Sequence, residues 1–366
     1  MKKNALVLST GFAMFSMFFG SGNLVFPILV GQQSGGHHFL AALGIFLTGV
    51  VVPFLGVFGM MLYRGDLKEF FRFVGPIGTF VFSLGALALM GPFGVLARCL
   101  AVAHGAFQLV VPEASLVWTS LALCFVIYIL TANKNRIIPV LGSILTPVLL
   151  VSIAAIVFFA LFRSPFSSTT LQATSSWFSF KNGFLNGYQT MDLLAAFFFS
   201  TFVIGHLQTG KLQNATEESS LKVFLKASAV GGGLLSIVYF CLVLLGSMYS
   251  AEIASAKPQD MFGLIALKTL GSFAAPCICI AIVLACLTTA VVLASLFSDF
   301  LYKEVLREKV SNKICLFVTL LIGFSVSTLE FSGIAAFLCP IMETIYPALI
   351  VLTVVNIALK KRLKLA

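Results

Sequence analysis

Charged residues are scarce in this chain. Lys, Arg, Asp and Glu make up 10% of its 366 residues and apolar residues make up 59%, whereas an ordinary soluble domain has roughly 25% and about 45–50%. So few charges cannot cover the surface of a water-soluble protein of this size, which excludes a soluble globular domain. Lipid is therefore the solvent for most of the surface. A spanning helix needs ~20 apolar residues, which leaves room for about ten spans.

Motifs of catalysis and of nucleotide hydrolysis are missing. The chain contains no GxSxG, HExxH or HxxxD pattern, no pair of acids on one helix face and no Walker A sequence. We therefore expect no enzyme, no bound cofactor and no requirement for an ATPase partner. The eight cysteines lie in or beside apolar runs without a CxxC pair, and metal-ligating residues form no cluster. We interpret the cysteines as small buried hydrophobic residues and expect no metal site beyond that of a coupling ion.

Acidic residues are outnumbered by basic ones, and the excess has a direction. A formal charge of +10 would suggest nucleic-acid binding in a soluble protein, but in a membrane protein positive loops mark the cytoplasmic side. With both termini cytoplasmic, only Arg163, Lys181, Lys257 and Lys268 fall outside, and Arg98 falls within a helix. This asymmetry predicts a multi-pass protein surrounded by lipid, without a nucleic-acid partner. The apolar runs place ten helices near 6–30, 39–63, 74–110, 115–132, 137–162, 187–207, 222–249, 273–301, 313–329 and 334–359.

Ten spans divide into two halves of five, and an odd number of crossings inverts the second half relative to the first. We expect an all-α polytopic membrane protein with a first repeat at 1–162, an external loop at 163–186, and an inverted repeat with a basic cytoplasmic tail at 187–366. The first helix of each half should be discontinuous. Glycines and small polar residues interrupt the first helix at 19–23, and the sixth begins with the polar stretch 187–192. A glycine-rich packing kink is the alternative interpretation of 19–23.

Five stretches carry a family resemblance along nearly the whole length of the chain. They are Phe19-Gly20-Ser21-Gly22-Asn23-Leu24-Val25-Phe26-Pro27, Gly91-Pro92 with Arg98, Gly187-Tyr188-Gln189-Thr190-Met191-Asp192, Cys286-Leu287-Thr288-Thr289-Ala290 and Ile345-Tyr346-Pro347. Together they resemble the bacterial branched-chain amino acid:cation symporter family. The chain departs from that family at Ala97-Arg98-Cys99, where members commonly carry Pro-Arg-Thr. Members also usually continue through two further helices after the tenth.

This resemblance implies uptake of leucine, isoleucine and valine, coupled to a cation that is usually Na⁺. It implies a LeuT-type, APC-like fold of five plus five helices in the bacterial cytoplasmic (inner) membrane, working by alternating access. A same-fold symporter for another small amino acid or solute, and coupling to H⁺, stay open as alternatives. A channel is disfavoured because broken helices and cation ligands favour stoichiometric binding. A membrane-embedded enzyme is the remaining alternative class.

The two helix breaks can supply the polar contacts that a zwitterionic amino acid needs. Free amides and the positive dipole at the start of a helix suit a carboxylate, so the amides of Ser21 and Gly22 are its candidates. Freed carbonyls near Phe19 and in 195–199 can accept hydrogen bonds from the ammonium. Phe198 or Phe199 can wall the aliphatic pocket, with packing against lipid as the alternative for either ring. The predicted substrate-binding residues are Phe19, Gly20, Ser21, Gly22, Asn23, Thr190, Asp192, Ala195, Phe198 and Phe199.

The eighth helix carries a candidate cation site. Ala285, Thr288 and Thr289 stand at i, i+3 and i+4, so one carbonyl and two hydroxyls share a face, and oxygen ligands suit a hard cation. The spacing is similar to the cation site of LeuT-type symporters, and this resemblance implies the carbonyls of Ser16 and Phe19 as partners. Because the set needs no carboxylate, we expect Na⁺ rather than H⁺. Hydroxyls bonded to their own helix are the alternative.

Three charged side chains fall at membrane depth, where each costs roughly 2.5–3.5 kcal/mol on insertion scales. Asp192 opens the sixth helix and can orient the substrate ammonium, while Arg98 can pair with Asp192 or gate the site. A helix cap for Asp192 and a structural ion pair for Arg98 are the alternatives. Glu343 lies beside Tyr346-Pro347 in the tenth helix. For Glu343 we expect a gating or structural role rather than proton coupling.

Overall fold

The computed structural model describes residues 3–132, 146–163, 174–209 and 217–365. All regular structure in these ranges is helical, and they contain no strand. The α-helices are α1 (Lys3–Phe18), α2 (Ser21–Gln32), α3 (His38–Phe46), α4 (Val52–Leu62), α5 (Leu67–Phe70), α6 (Gly75–Met90), α7 (Val95–Gln108), α8 (Leu116–Ala132), α9 (Thr146–Arg163), α10 (Ser176–Gln189), α11 (Asp192–Thr209), α12 (Glu217–Met248), α13 (Met261–Leu270), α14 (Ala275–Phe300), α15 (Asn312–Ser327) and α16 (Glu330–Leu365).

Several of these helices can span a membrane. By length and composition, five segments qualify alone: His38–Leu62, Arg72–Gln108, Leu221–Met248, Ser272–Val305 and Glu330–Lys360. The bent pair α1 and α2 makes a sixth, and α8, α9 and α15 contain shorter apolar helices. The expected all-helical architecture is thus confirmed for the part of the chain described, with several helices long and apolar enough to span a membrane. The arrangement of ten spans stays a prediction. The first part of the predicted fifth helix, 137–145, lies outside the described residues.

The first helix breaks where the sequence predicts it. α1 ends at Phe18, α2 begins at Ser21, and the two axes differ by 71°. Gly20 between them is extended, and its amide donates a 3.4 Å hydrogen bond to Asn23 Oδ1. A side chain thereby replaces one backbone acceptor that the break removes. The residues from Phe18 to Ile28 are all buried, so the break lies inside the fold.

A second break separates α10, which ends at Gln189, from α11, which begins at Asp192. Met191 lies between them with a φ of 62°, a left-handed conformation that costs free energy in a residue other than glycine. The loop predicted over 163–186 is wrong in its second half, because α10 already begins at Ser176. Residues 164–173 of that loop lie outside the described ranges.

Glycines let α10 approach α3 closely. A Cβ atom at Gly183 would overlap the carbonyl oxygen of Ala41, and one at Gly44 would overlap the carbonyl oxygen of Phe180. Small residues allow membrane helices to pack backbone against backbone. This contact explains why the polar segment that resembles a loop in sequence forms a helix in the fold.

A third interruption separates α6 from α7. The sequence predicts one helix over 74–110, but α6 ends at Met90 and a four-residue turn precedes Val95. Two amides in and after the turn donate to carbonyls five residues earlier, so hydrogen bonding continues with wider spacing. Gly94 has to be glycine, because a Cβ atom there would overlap the carbonyl oxygen of Leu89.

The segments around the interruptions are buried, whereas peripheral helices present apolar side chains outward. α7 is buried from Val95 to Ala106, and α11 is buried from Asp192 to Ser200. On α9, α15 and α16, by contrast, Phe162, Phe317 and Val351 are 76%, 58% and 62% exposed. Outward apolar side chains suit a surface in contact with lipid, where the helices satisfy their own backbone hydrogen bonds.

Candidate functional site

A small cavity lies where the three interrupted helices meet. About 20 Å³ is open to the centre of a water molecule, which is enough for about one water. Its polar lining is Gly20, Asn23, Thr190, Asp192 and Thr289. Its apolar lining is Met17, Phe18, Met90, Val95, Met191, Ala195, Phe199 and Leu293. The cavity therefore presents one carboxylate and a few other polar groups within an apolar wall.

Asp192 is held by neutral hydrogen-bond donors from two other helices. Its carboxylate is 2% exposed, and Oδ2 accepts from Asn23 Nδ2 at 2.6 Å and from the Tyr239 hydroxyl at 3.2 Å. Asn23 Nδ2 also donates to the Tyr239 hydroxyl at 2.6 Å. Next to Asp192, the amide of Leu193 donates to the Tyr346 hydroxyl at 2.9 Å. The negative charge is thus oriented without a basic partner among the described residues.

Arg98 lies one turn along α7 from Val95 and is 1% exposed. Its guanidinium donates to the carbonyl oxygen of Gln189 at 2.8 Å and to Gln189 Oε1 at 3.3 Å. The rings of Phe26 and Phe331 lie 5.1 and 5.4 Å from Cζ, within cation–π range. Arg98 therefore joins α7 to the end of α10 next to the second break.

The expected ion pair between Arg98 and Asp192 does not form. Arg98 donates to Gln189, whose carbonyl oxygen the second break leaves free of a helix partner. Asp192 accepts from Asn23 and Tyr239 instead. The gating or structural role expected for Glu343 stays a prediction. Glu343 lies on the exposed face of α16, where it accepts a 3.3 Å hydrogen bond from Cys339 Sγ.

The candidate cation ligands are buried, and two of them meet across helices. Thr289 Oγ1 donates to the carbonyl oxygen of Phe19 at 3.4 Å, which joins α14 to the first break, at a residue that the family resemblance implies as a partner. Thr288 Oγ1 donates to the carbonyl oxygen of Ala285 at 2.8 Å, the bond to its own helix that the sequence left as the alternative. Ser16 lies one turn before Phe19, and its hydroxyl donates to Ala13 at 3.0 Å.

The predicted carboxylate ligands begin α2. The amides of Ser21 and Gly22 belong to the first turn of this helix and have no acceptor within it. The Ser21 hydroxyl accepts from Cys99 Sγ at 3.4 Å, so this helix start contacts α7 beside Arg98. A Cβ atom at Gly22 would lie 3.5 Å from the Phe26 ring, which leaves room for a methyl group but little more.

The two predicted phenylalanines line different cavities. Phe199 and Ala195 line the small central cavity, whereas Phe198 lines a larger one of about 630 Å³ bordered by α5, α6 and α14. Charged side chains at the larger cavity are Lys68, Arg72, Asp299, Lys303 and Glu304. The cavities lie close together, because Leu87 and Leu296 line the larger one and stand one helical turn from Met90 and Leu293 of the smaller one.

Sequence reasoning missed several residues of the site. Tyr239 and Gln189 hold the two buried charges, and Met90, Val95 and Leu293 complete the apolar wall. The turn after Met90 has a signal in the sequence, the Gly91-Pro92 pair. Tyr239 has none, because an apolar helix offers no local sign of which tyrosine faces a carboxylate 47 residues away.

Known proteins resemble this chain along almost its entire length. The family model described as branched-chain amino acid transport protein matches residues 2–365. The branched-chain amino acid permease BraB of Bacillus subtilis is 31% identical over 361 residues, which cover 94% of this chain and 78% of BraB. The permease BrnQ of Corynebacterium glutamicum is 30% identical over 363 residues, which cover 96% of this chain and 80% of BrnQ. The chain therefore belongs to the branched-chain amino acid transport protein family, whose members are transporters rather than enzymes.

Proposed function

We propose that this protein imports leucine, isoleucine and valine by cation symport, and that the central cavity is the substrate site. The observation that carries this proposal is the composition of the cavity, in which one oriented carboxylate, two threonines, and Gly20 and Asn23 on either side of Ser21 and Gly22 interrupt a mostly apolar wall. A branched-chain amino acid needs these contacts and few others. The carboxylate of Asp192 takes the ammonium, and the amides of Ser21 and Gly22 take the substrate carboxylate.

The apolar part of the lining matches the chemistry of the substrate side chain. Met90, Val95, Leu293 and Phe199 offer aliphatic and aromatic contacts without a hydrogen-bonding group, which favours leucine or valine over a polar amino acid. The cavity has space for about one water, so it must widen before leucine enters. This conformation is therefore a contracted state of the transport cycle.

The same proposal includes the topology. Ten spans in a LeuT-type inverted repeat, with both termini cytoplasmic, place the 630 Å³ cavity on the cytoplasmic side, where Lys68, Arg72 and Lys303 follow the positive-inside rule. A layer containing Met90 and Leu293 separates this cavity from the central site. Release to the cytoplasm requires that layer to open while the outer side stays closed. The membrane is the bacterial cytoplasmic membrane.

Na⁺ is the proposed coupling ion. The carbonyls of Ser16, Phe19 and Ala285 and the hydroxyls of Thr288 and Thr289 are the proposed ligands, since hard cations prefer oxygen. The contact between Thr289 and the Phe19 carbonyl supports the proposal because it links the ion position to the break beside the substrate. Occupation by Na⁺ would fix α1 against α14 and thereby favour substrate binding.

The test is uptake of labelled leucine, valine, alanine and phenylalanine by the purified protein in liposomes, with sodium replaced by choline in parallel. Saturable uptake of leucine and valine that falls without sodium supports the proposal. Uptake of leucine driven by a pH gradient without sodium would replace Na⁺ by H⁺. Preference for another solute would overturn the substrate class. A flux that does not saturate would overturn the carrier mechanism.

A further inference from the structure

Arg98 carries a buried positive charge without a counter-ion among the described residues. Arg98 is 1% exposed. The ion pairs among the described residues join Lys257 to Glu330 and Lys360 to Glu69, and neither involves Arg98. A buried cation is costly unless an anion and hydrogen-bond acceptors compensate it. The position of Arg98 beside the second break therefore needs an explanation beyond helix packing.

Gln189 compensates part of this charge. As the last residue of α10, it presents its carbonyl oxygen at the negative end of a helix dipole, which is worth roughly half an elementary charge. The rings of Phe26 and Phe331 add cation–π contacts. Together these groups supply less than the full negative charge that would neutralise the guanidinium.

Two buried donors at this position have no acceptor. Arg98 Nε and Gln189 Nε2 make no hydrogen bond, although the two residues are 1% and 4% exposed. Such groups are normally satisfied, because an unmade buried hydrogen bond costs free energy. Both groups are donors and the guanidinium is cationic, so the ligand that would satisfy them is a monovalent anion with oxygen or halide acceptors.

We propose that Arg98 and Gln189 form an outer subsite for the substrate carboxylate, which the amino acid occupies before its carboxylate reaches the amides of Ser21 and Gly22. This inference rests on the proposed import function and extends it. Cys99, the neighbour of Arg98, contacts Ser21, so the subsite lies beside the start of α2. The proposed ligand gives the guanidinium the charge-assisted hydrogen bonds that it lacks here.

A zwitterion is the ligand that balances both buried charges of the site. Asp192 lies three residues after Gln189, across the second break, and its charge has no cation among the described residues. An α-amino acid carries its carboxylate and ammonium on adjacent atoms. It can therefore offer an anion to Arg98 and a cation to Asp192 from one small group.

Phe331 closes the subsite in this conformation. Its ring is 1% exposed and lies 5.4 Å from Arg98 on one side, while Phe26 lies 5.1 Å away. Arg98 does not line the central cavity. Phe331 is the second residue of α16, so in the proposed cycle a displacement of that helix start moves the ring relative to the guanidinium. The subsite is thus available when the outer side opens and sealed when it closes.

The experiment compares inhibition of labelled leucine uptake by leucine, leucinamide and 4-methylpentanoate in liposomes. Leucinamide lacks the carboxylate, and 4-methylpentanoate lacks the ammonium. For the unmodified protein we expect leucinamide to inhibit about tenfold or more weakly than leucine, the effect of one charge-assisted hydrogen bond. In Arg98→Gln the apparent affinities for leucine and 4-methylpentanoate, which both carry the carboxylate, fall severalfold, while inhibition by leucinamide is unchanged. Lys257→Gln, which removes an exposed outer cation, is the matched control and keeps the original ranking.

Each other outcome has a defined meaning. Equal loss of affinity for leucine and leucinamide in Arg98→Gln would show a structural role and overturn the subsite. If Arg98→Gln does not transport, ligand-induced thermal stabilisation of the detergent-purified variant gives the same comparison, with Arg98→Lys expected to restore most of the affinity for leucine. A third comparison replaces chloride by gluconate. If this replacement lowers leucine uptake by the unmodified protein but not by Arg98→Gln, the site belongs to an inorganic anion instead. If the unmodified protein neither binds nor transports leucine, the proposed function itself is wrong.

Discussion

Asn23 and Asp192 are joined by a 2.6 Å hydrogen bond, although 169 residues separate them. Asn23 lies in the first turn of α2 and Asp192 is the first residue of α11, so the bond connects the two helix starts that follow the breaks. Any motion that separates these helices has to break a short bond to a buried carboxylate. The two broken helices are therefore expected to move together during transport.

Removal of the Tyr239 hydroxyl tests how the carboxylate is held. Tyr239→Phe deletes a donor to Asp192, and a hydrogen bond to a charged group is worth about 1.5–3 kcal/mol. We expect the Kd for leucine to rise about tenfold or more, measured by ligand-induced thermal stabilisation. Tyr63→Phe is the control, because Tyr63 is 2% exposed and its hydroxyl donates to the Asn356 carbonyl away from the cavity. Equal effects of both substitutions would contradict the assignment.

Two hydroxyls carry the proposed sodium dependence. The double variant Thr288→Val, Thr289→Val keeps the side-chain shape and removes both oxygen ligands, so we expect sodium-stimulated leucine uptake to be lost. Thr319→Val serves as the control, since Thr319 is equally buried and its hydroxyl bonds to its own helix at 2.7 Å. Sodium titration of initial uptake rates makes the measurement. Unaltered sodium dependence in the double variant would remove these residues from the ion site.

Two glycines in the first break should differ in their tolerance of a methyl group. A Cβ atom at Gly20 would lie 2.9 Å from Thr289 Oγ1, whereas one at Gly22 would be 3.5 Å from its nearest neighbour, the Phe26 ring. Gly20→Ala therefore displaces a proposed ion ligand, and Gly22→Ala does not. We expect Gly20→Ala to raise the sodium concentration for half-maximal uptake severalfold and Gly22→Ala to leave it nearly unchanged. The reverse order would argue against an ion site at Thr289.

The ion pair between Lys257 and Glu330 is expected to contribute little to the free energy of closing the outer side of the protein. The side chains are 58% and 44% exposed and lie 2.8 Å apart, and exposed pairs are worth about 0.2–1 kcal/mol. Glu330→Gln should change the leucine KM by no more than about fivefold. Because salt screens exposed charges, the difference should shrink when choline chloride is raised at constant sodium. A large effect that salt does not reduce would mean that Glu330 acts through another contact.

Asp260 makes stability depend on pH. Burial raises the pKa of its carboxyl, while Lys257 opposes this effect and Glu330 adds to it. Since the folded pKa exceeds the unfolded one, the contribution of Asp260 to stability is fully present below the unfolded pKa and is lost as the pH rises through the raised pKa. We expect Asp260→Asn to flatten the fall in Tm that follows as the pH rises from the ordinary range of a carboxyl group through the raised pKa. Glu252→Gln, at an exposed acid of the same segment, should keep the slope of the unmodified protein.

The sequence predicts the parts of this protein that follow from composition and local backbone preference. Scarcity of charge gives the membrane class, and the glycines of 19–23 give the first break at its observed place. The start of α10 at Ser176 could not be predicted, because it depends on a close approach to α3. The partner of Arg98 is a backbone carbonyl exposed by a break, and residue types alone cannot identify such an acceptor. Polar partners across helices therefore require coordinates.

The turn between α6 and α7 has a consequence for selectivity. Met90 and Val95 are five residues apart and would point about 140° away from each other on a regular helix, yet both line the cavity. The extra turn realigns them. Deleting one residue from it would rotate α7 by about 100°, carrying both Val95 and Arg98 away from their present neighbours. The four residues of the turn thus set the positions of the apolar wall and of the buried charge together. A change in the length of the turn cannot move one without moving the other.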